Sequence, residues 1–300
     1  MAISFGVLAG HGGDWLGDAE LAEALGFDSV WVGDHVLWHA SAPDPAVMLG
    51  ALAARTSRVR IGSGVMLAAL RPPLVVAKQA ATLDLLSGGR FVLGVGIGGE
   101  NPAEFEAVGV DVRERGGRLD ETLAICRALF SQPEVNFDGR FYRLRGVRFD
   151  LPPATPGGPP IWVGGRAPEA LRRAGRLGDG WLAFAVTPER FADGWRSVCE
   201  QAERARRDPS ELTPAVQLWC RFDEDRAAAG AAIAPAIEAF YRLPYARFAP
   251  YCIAGDGDDW RRGLQAFADA GVRHVNLIPA GGDTAVQLVQ IAENILPAFA

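Results

Sequence analysis

The side chain best suited to move a proton is His35, which directly follows the apolar segment 29–32. An imidazole titrates near neutrality, so a histidine at the end of a strand can donate or accept a proton during catalysis. Trp38 and His39 follow within the same loop. The alternative for His35 is a histidine with satisfied hydrogen bonds and no chemical role.

Glycines occur at the ends of three other apolar segments, in Gly62-Ser63-Gly64-Val65, in the run 94–99 before Glu100, and in Gly164-Gly165 before Arg166. Two of these stretches are glycine-rich turns on neighbouring strands. Glycine lets a backbone approach an anion closely with its N–H groups free to donate, so these turns predict a ligand that carries a phosphate. The alternative is that the glycines only allow the chain to turn. The run 94–99 also matches G-x-G-x-x-G, but the next strand is predicted only at Pro160, too far away for a dinucleotide-binding βαβ unit.

A metal site is a further alternative, and the sequence does not favour it. His35 and His39 have the i, i+4 spacing that can hold a metal on a helix, with Asp34, Glu100 and His274 as additional ligands. A metal site in a barrel normally takes histidines from several strand ends, whereas His274 is predicted at the opposite rim. We therefore predict no metal.

Eight apolar, β-branched segments must position these residues, and each is followed by a stretch with helical periodicity. They are 3–8, 29–32, 59–66, 91–95, 160–163, 181–184, 215–221 and 272–278. The chain of 300 residues allows roughly 37 residues for each unit, which suits a strand, a crossover helix and two loops. The pattern predicts one α/β domain over residues 1–300, a (β/α)8 TIM barrel, whose active site lies on the loops after the strand C-termini.

Two segments depart from this alternation. The residues around Asp138-Gly139 alternate in polarity and predict a hairpin insertion at about 135–151. A second insertion, of helix and loop, is expected at about 223–257. Its aromatic residues either pack among themselves or close over a pocket.

The composition restricts the partners. The net charge is −6 with acidic and basic residues interleaved, which argues against a nucleic-acid partner. No apolar run is long enough for a membrane helix and no secretion signal is recognisable, so we expect a cytoplasmic protein without a membrane partner. The four cysteines form no C-x-x-C pair, and Lys78 is the only lysine, which disfavours disulfides and P-loop chemistry.

Five motifs in order resemble the bacterial luciferase-like oxidoreductases, which are (β/α)8 barrels that bind FMN or the deazaflavin F420. They are G-F-D-S-V-W-V-G-D-H at 26–35, A-K-Q-A-A-T-L-D with S-G-G-R at 77–90, L-G-V-G-I-G-G-E at 93–100, P-I-W-V-G-G at 160–165 and G-D-G-W at 178–181. The resemblance covers residues 3 to about 298. The Asp34-His35 pair is similar to the F420-dependent branch, whereas many FMN-dependent relatives carry Glu-His-His.

The resemblance implies a role for each matching residue. His35 would exchange the substrate proton, Glu100 would be a second acid/base group, although one additional glycine precedes it here, and Trp38 would form an aromatic wall of the catalytic site. Gly64-Val65 matches the place of a non-proline cis peptide in the family. The residues implied to hold the cofactor are Asp34, Gly64, Val65, Gly96, Gly98, Gly164, Gly165, Arg166 and Ala167. The rim of the predicted barrel adds His11 and Phe184 as walls of a substrate pocket.

The resemblance therefore predicts an oxidoreductase in which F420 exchanges a hydride with a small organic substrate while His35 handles the proton. The alternative is an FMNH2-dependent monooxygenase that uses O2, receives its flavin from a separate reductase and closes its site with the insertion at 223–257. A third hypothesis is a flavin-binding protein without turnover, which His35 and Glu100 argue against. Because such relatives are commonly dimers, a homodimer is expected.

Overall fold

The computed structural model describes residues 3–9 and 14–299. Its strands are β1 (Ser4–Ala9), β2 (Ser29–Val32), β3 (Arg60–Ser63), β4 (Phe91–Val95), β5 (Val135–Asp138), β6 (Arg143–Val147), β7 (Ile161–Gly164), β8 (Gly180–Phe184), β9 (Thr213–Phe222), β10 (Cys252–Gly255) and β11 (His274–Pro279). Its α-helices are α1 (Trp15–Leu25), α2 (Pro45–Arg55), α3 (Pro73–Ser87), α4 (Pro102–Ala107), α5 (Arg115–Ser131), α6 (Pro168–Leu177), α7 (Pro188–Arg204), α8 (Arg226–Tyr241), α9 (Gly257–Asp269) and α10 (Thr284–Asn294).

Eight of the described strands form a closed parallel barrel. Their order is β1, β2, β3, β4, β7, β8, β9 and β11, and β11 pairs back with β1. The residues of β2, β4 and β7 are all buried, as expected for parallel strands that are covered by helices on one side and fill the barrel on the other. The predicted (β/α)8 barrel is confirmed. Among the described residues, no helix is long and apolar enough to cross a membrane.

The helices begin and end at the residues that the sequence marks. The carboxylate of Asp14 accepts from the Gly17 amide and caps the start of α1, which ends at Gly26 in the left-handed conformation. Helix α3 starts with Pro73 and ends at the left-handed Gly88. These local signals set the lengths of the crossovers and thus the loops that form the rim.

The third strand is shorter than the predicted segment 59–66. Strand β3 ends at Ser63, the next peptide, Gly64–Val65, is cis, and Met66 pairs again with Val95 of β4. The irregular backbone lies at the C-terminal end of the barrel. It places Val65 among the loops that form the rim.

The insertion expected at 223–257 as helix and loop also contains a strand, β10, which we did not predict. The first part of β9 pairs with β8, from Thr213 to Gln217, and its last residues pair with β10, from Trp219 to Phe222. Because β9 runs past the end of β8, its edge would otherwise carry unpaired peptide groups, and β10 covers them. The four-residue strand has too little sequence pattern to be recognised alone. The earlier segment 135–151 contains the antiparallel hairpin of β5 and β6.

The N-terminal end of the barrel holds a buried histidine, His274. Its Nδ1 lies 2.8 Å from the Ser4 hydroxyl and its Nε2 lies 3.4 Å from the Ser29 hydroxyl, which in turn accepts from the Trp31 indole. Burial, with a smaller effect from Arg60, lowers the pKa of His274 to about 3, so the imidazole is neutral at physiological pH. The residue therefore belongs to the core, at the end opposite the loops that carry His35.

Candidate active site

A cavity of about 230 Å³ opens at the C-terminal ends of the barrel strands. Most of the residues predicted for the site line it: Asp34, His35, Trp38, Gly64, Val65, Gly96, Gly98, Glu100, Gly164, Gly165 and Phe184. These positions are distant in the sequence and meet because parallel strands bring their C-terminal loops to one rim. His11 lies outside the described residues.

The carboxylate that contacts His35 is Glu104, which the sequence analysis did not identify. His35 Nδ1 lies 3.4 Å from Glu104 Oε2, and the same oxygen accepts from the Val36 amide at 3.2 Å. The Glu104 side chain is fully buried, and its Oε1 has no hydrogen-bond partner among the described residues. The contact engages Nδ1 of the imidazole, and Nε2 is the ring nitrogen that Glu104 does not contact.

Helix α4 explains why Glu104 reaches His35. The Asn101 side chain caps the helix, Pro102 is its first residue, and Glu104 falls in the first turn. The Asn101 side chain also donates to the Leu37 carbonyl, which joins α4 to the loop that carries His35. The Asn-Pro pair predicts a helix start, but only the tertiary structure shows that the helix begins beside the β2 loop.

Trp38 connects His35 to the insertion. Its ring stacks on the His35 imidazole, with centroids 3.9 Å apart and planes 18° from parallel. Its indole N–H donates to the Phe240 carbonyl at 3.0 Å, and His39 Nε2 contacts the same carbonyl. The C-terminal end of α8 is thus held directly over the proposed proton-transfer residue.

The glycine turns surround the Val65 side chain. A Cβ atom at Gly96 would lie 2.5 Å from Val65 Cγ2, and one at Gly164 would lie 2.9 Å from Val65 Cγ1. Gly98 and Gly165 have φ values of +57° and +113°, which side chains disfavour. Any larger residue would therefore clash or strain the backbone, so these glycines keep peptide groups at the cavity wall.

Asp34 lines the cavity, but both of its carboxylate oxygens are engaged by protein groups. Arg71 donates to Oδ2 at 2.5 Å and to Oδ1 at 3.0 Å, and the Leu67 amide donates to Oδ2 at 2.8 Å. Burial lowers the pKa of Arg71 and pairing with Asp34 raises it, with a net upward shift. The contacts show Asp34 as the partner of Arg71 and of the chain that follows the cis peptide.

Glu100, Arg166 and Ala167, three more of the predicted residues, differ in their positions relative to the cavity. Glu100 is exposed at the rim of the cavity and has no hydrogen-bond or ion-pair partner among the described residues. Arg166 is exposed, donates to the Ala185 carbonyl, and lies with its guanidinium carbon 5.9 Å from the Tyr251 ring. Ala167 is the N-cap residue of α6, whose first turn has no side-chain cap. Neither Arg166 nor Ala167 lines the cavity.

Besides the predicted Phe184, the opposite half of the cavity is formed by residues that were not individually predicted for the site. They are Leu8, Leu182, Gln217, Trp219, Phe240, Tyr241 and Ile278. The Trp219 indole donates to the Tyr241 hydroxyl at 3.4 Å, and burial raises the pKa of Tyr241 well above its ordinary value, so the phenol is neutral. The aromatic residues of the insertion were the sequence feature that could have predicted this wall. A run of aromatic residues, however, does not distinguish packing from a pocket wall.

The barrel, its glycine turns and the His35–Glu104 pair define a (β/α)8 enzyme with its site at the C-terminal rim. The chain belongs to the luciferase-like monooxygenase family of oxidoreductases, whose model matches residues 13–278.

Relatives within this family differ in substrate. The chain is 31% identical over 306 residues to the F420-dependent glucose-6-phosphate dehydrogenase of Amycolatopsis mediterranei, an alignment that covers 92% of this chain and 91% of that protein. It is 37% identical over 217 residues to a phthiodiolone/phenolphthiodiolone dimycocerosates ketoreductase of a Mycobacterium species, covering 64% and 57%. An F420-dependent secondary alcohol dehydrogenase, solved with an F420-acetone adduct, shares the fold with a TM-score of 0.89, 24% identity and full coverage of both chains.

Proposed function

We propose that this chain is an F420-dependent oxidoreductase that exchanges a hydride between the deazaflavin and a small organic substrate. The observation that carries the proposal is the His35–Glu104 pair at the mouth of the barrel, beside glycine turns that line the same cavity. The choice of F420 is supported by the glucose-6-phosphate dehydrogenase, whose alignment spans nearly the whole of both chains.

The residues present fit a phosphate-bearing cofactor of this kind. Gly98, Gly164 and Gly165 keep peptide groups close to the cavity, and the first turn of α6 follows them with no side chain that competes for its N–H groups. These groups, with Val65, would hold the cofactor. When bound, F420 supplies a carbon centre that gives or takes a hydride.

The protein's own part in the reaction is proton transfer and exclusion of water. His35 Nε2 exchanges a proton with the substrate heteroatom, because Nδ1 is turned towards Glu104. The buried carboxylate orients the imidazole and stabilises its charged form. Trp38 covers one face of the ring, and Glu100 is proposed as the second acid/base group at the rim.

Paired titrations with F420 and with FMN test this function. Trp38 and Trp219 line the cavity, so binding should change the tryptophan fluorescence. We expect F420 to bind at micromolar or lower concentration and FMN to cause little change. Binding of FMN with no response to F420 would refute the proposal and favour the alternative, a monooxygenase that receives FMNH2 from a separate reductase.

We also propose that the protein forms a homodimer through α2 and α3. Large apolar side chains are exposed on these adjacent helices, notably Val47 at 75% and Leu86 at 61%, with Leu74 and Val75 on the same pair. The described segments of both helices carry few charges, so the face suits a second copy of itself. Sedimentation velocity should show a dimer for the wild type and a monomer for a Val47→Glu, Leu86→Glu double variant. A monomeric wild type would contradict the proposal.

A further inference from the structure

We propose that the substrate is an uncharged, largely apolar alcohol or ketone, and that phosphorylated or otherwise anionic substrates are excluded from the half of the cavity that faces the cofactor. This inference rests on the proposed function, because it names the substrate class of the same site. It differs from the sugar phosphate in the name of the glucose-6-phosphate dehydrogenase that is 31% identical to this chain.

The cavity is divided into two halves of different character. The loops after β2, β3, β4 and β7 carry His35, the cis peptide at Gly64–Val65 and the glycine turns. The half formed by β1, β8, β9, β11 and α8 carries bulky apolar side chains, chiefly Phe184, Trp219 and Phe240. The first half is suited to the cofactor, so the apolar half is left for the substrate.

No cation faces the cavity from the residues that the structure describes. The lining of the described chain contains neither lysine nor arginine. Arg71 is committed to Asp34, and Arg166 is turned towards the Ala185 carbonyl and the Tyr251 ring. Glu100 remains as a negative group at the rim without a counter-charge.

An anionic substrate would therefore lose its hydration without gaining an ion pair, and Glu100 would repel it. An apolar substrate gains from the same wall, since each methylene removed from water contributes roughly 0.8 kcal/mol, which corresponds to about a fourfold change in affinity. Tyr241 and Gln217 are the neutral polar groups of the apolar half, enough to hydrogen-bond one oxygen but not a phosphate.

The reaction balances with the groups already assigned. In the oxidising direction the carbinol carbon loses a hydride, with its two electrons, to oxidised F420, and the hydroxyl proton passes to His35 Nε2 as the C=O bond forms. In the reducing direction the carbonyl carbon receives the hydride from reduced F420, and the oxygen takes the proton from His35.

The test compares substrates on the F420-loaded protein. We expect kcat/KM to rise by several-fold per added methylene along 2-propanol, 2-butanol, 2-pentanol and 2-hexanol, and glucose 6-phosphate to reach less than about one hundredth of the value for 2-hexanol. Activity with glucose 6-phosphate equal to or above that with 2-hexanol would overturn the substrate class. So would F420-loaded protein that neither oxidises the alcohols nor binds the matching ketones, 2-butanone and 2-hexanone.

A pair of variants at Phe184 tests the apolar wall directly. Phe184→Lys places a cation there and should lower kcat/KM for 2-hexanol by more than about tenfold, whereas Phe184→Leu, which only shortens the wall, should cause a smaller loss of about threefold. Equal losses in the two variants would contradict the role of the apolar wall. Fluorescence titration with F420 is run on every variant, because absence of F420 binding in the wild type would refute the proposed function itself and not only the substrate class.

Discussion

In the proposed reaction, His35 and Glu104 form the smallest unit that carries the chemistry. A histidine alone at a strand end is a common residue, but here one ring nitrogen is held against a fully buried carboxylate and the ring is covered by Trp38. Such an arrangement limits the imidazole to one orientation. In the proposed reaction Nε2 is therefore the atom that meets the substrate.

Replacement of His35 by alanine should separate binding from turnover. His35→Ala removes the proposed proton-transfer group, so kcat should fall by at least about a hundredfold. The cofactor contacts come from other loops, so the Kd for F420 should change by less than about threefold. Steady-state assays and fluorescence titration measure the two quantities, and an unchanged kcat would show that His35 is not the proton-transfer residue.

Glu104→Gln tests the contact that positions His35. The amide keeps the shape and an acceptor for Val36, but it loses the charge that stabilises protonated imidazole, so kcat should fall by about 10- to 100-fold. The acid limb of the pH–activity profile should also move to lower pH, which a purely structural loss would not cause.

Glu100→Gln is the comparison variant, because Glu100 is a rim carboxylate with no hydrogen-bond or ion-pair partner among the described residues. If Glu100 is the second acid/base group, Glu100→Gln also lowers kcat but leaves the His35-dependent limb of the profile in place. Identical pH profiles for Glu104→Gln and the wild type would refute the positioning role of Glu104.

At the scale of elements, the loop after β2 and helix α8 form one closure over the cavity. They meet where Trp38 and His39 contact the Phe240 carbonyl at the end of α8, and the helix ends with Arg242 in the left-handed conformation. Strand β10 continues the insertion and attaches it to β9. The insertion is therefore anchored at the sheet and at the loop that carries His35.

Trp38→Phe should loosen this closure. The variant keeps an aromatic ring against His35 but removes the N–H donor to Phe240, so amide hydrogen exchange at the end of α8 should become faster. The KM of the substrate should rise by several-fold.

Trp15→Phe is the control for Trp38→Phe, since the Trp15 indole N–H has no hydrogen-bond partner among the described residues. Hydrogen exchange at residues 238–251 followed by mass spectrometry compares the two variants. Equal exchange in Trp38→Phe and Trp15→Phe would show that the indole hydrogen bond does not hold the helix.

At the scale of the whole molecule, the buried His274 couples stability to pH. Its pKa is about 3 in the folded protein against an ordinary value of 6.5, so the unfolded chain binds the proton more readily between these limits. The free energy of unfolding should therefore fall as the pH drops below 6.5, by about 1.4 kcal/mol per pH unit from this group, and the contribution is complete above that pH.

Urea denaturation of the wild type and of His274→Gln at pH 7.5 and 5.5 tests this linkage. Glutamine can still hydrogen-bond to Ser4 or Ser29 but does not titrate. Between pH 7.5 and 5.5 the free energy of unfolding of His274→Gln should therefore fall by about 1.4 kcal/mol less than that of the wild type. Carboxylates such as Glu23 also make the free energy of unfolding depend on pH. Burial raises the pKa of Glu23, but hydrogen bonds from backbone amides outweigh this and lower it to about 2. Their contribution is the same in both proteins and cancels in the comparison. Parallel losses would show that His274 does not contribute.

The sequence by itself determined the barrel and the positions of its rim. Local signals are sufficient for that, because the alternation of apolar segments with capped helices recurs around the whole barrel, and parallel strands bring all their C-terminal loops to one end. His35, Trp38, Phe184 and the glycine turns follow from their places after strands. The cis peptide at Gly64–Val65 was implied by the family resemblance and is present in the structure.

Only the tertiary structure decided which side chains act together. Glu104 faces His35 because a short helix from the β4 loop packs beside the β2 loop, and the apolar wall depends on where the insertion folds back. Strand β10 pairs with the part of β9 that extends beyond the end of β8. These contacts join residues far apart in the chain, and no local pattern of polarity or periodicity encodes a distance between two side chains.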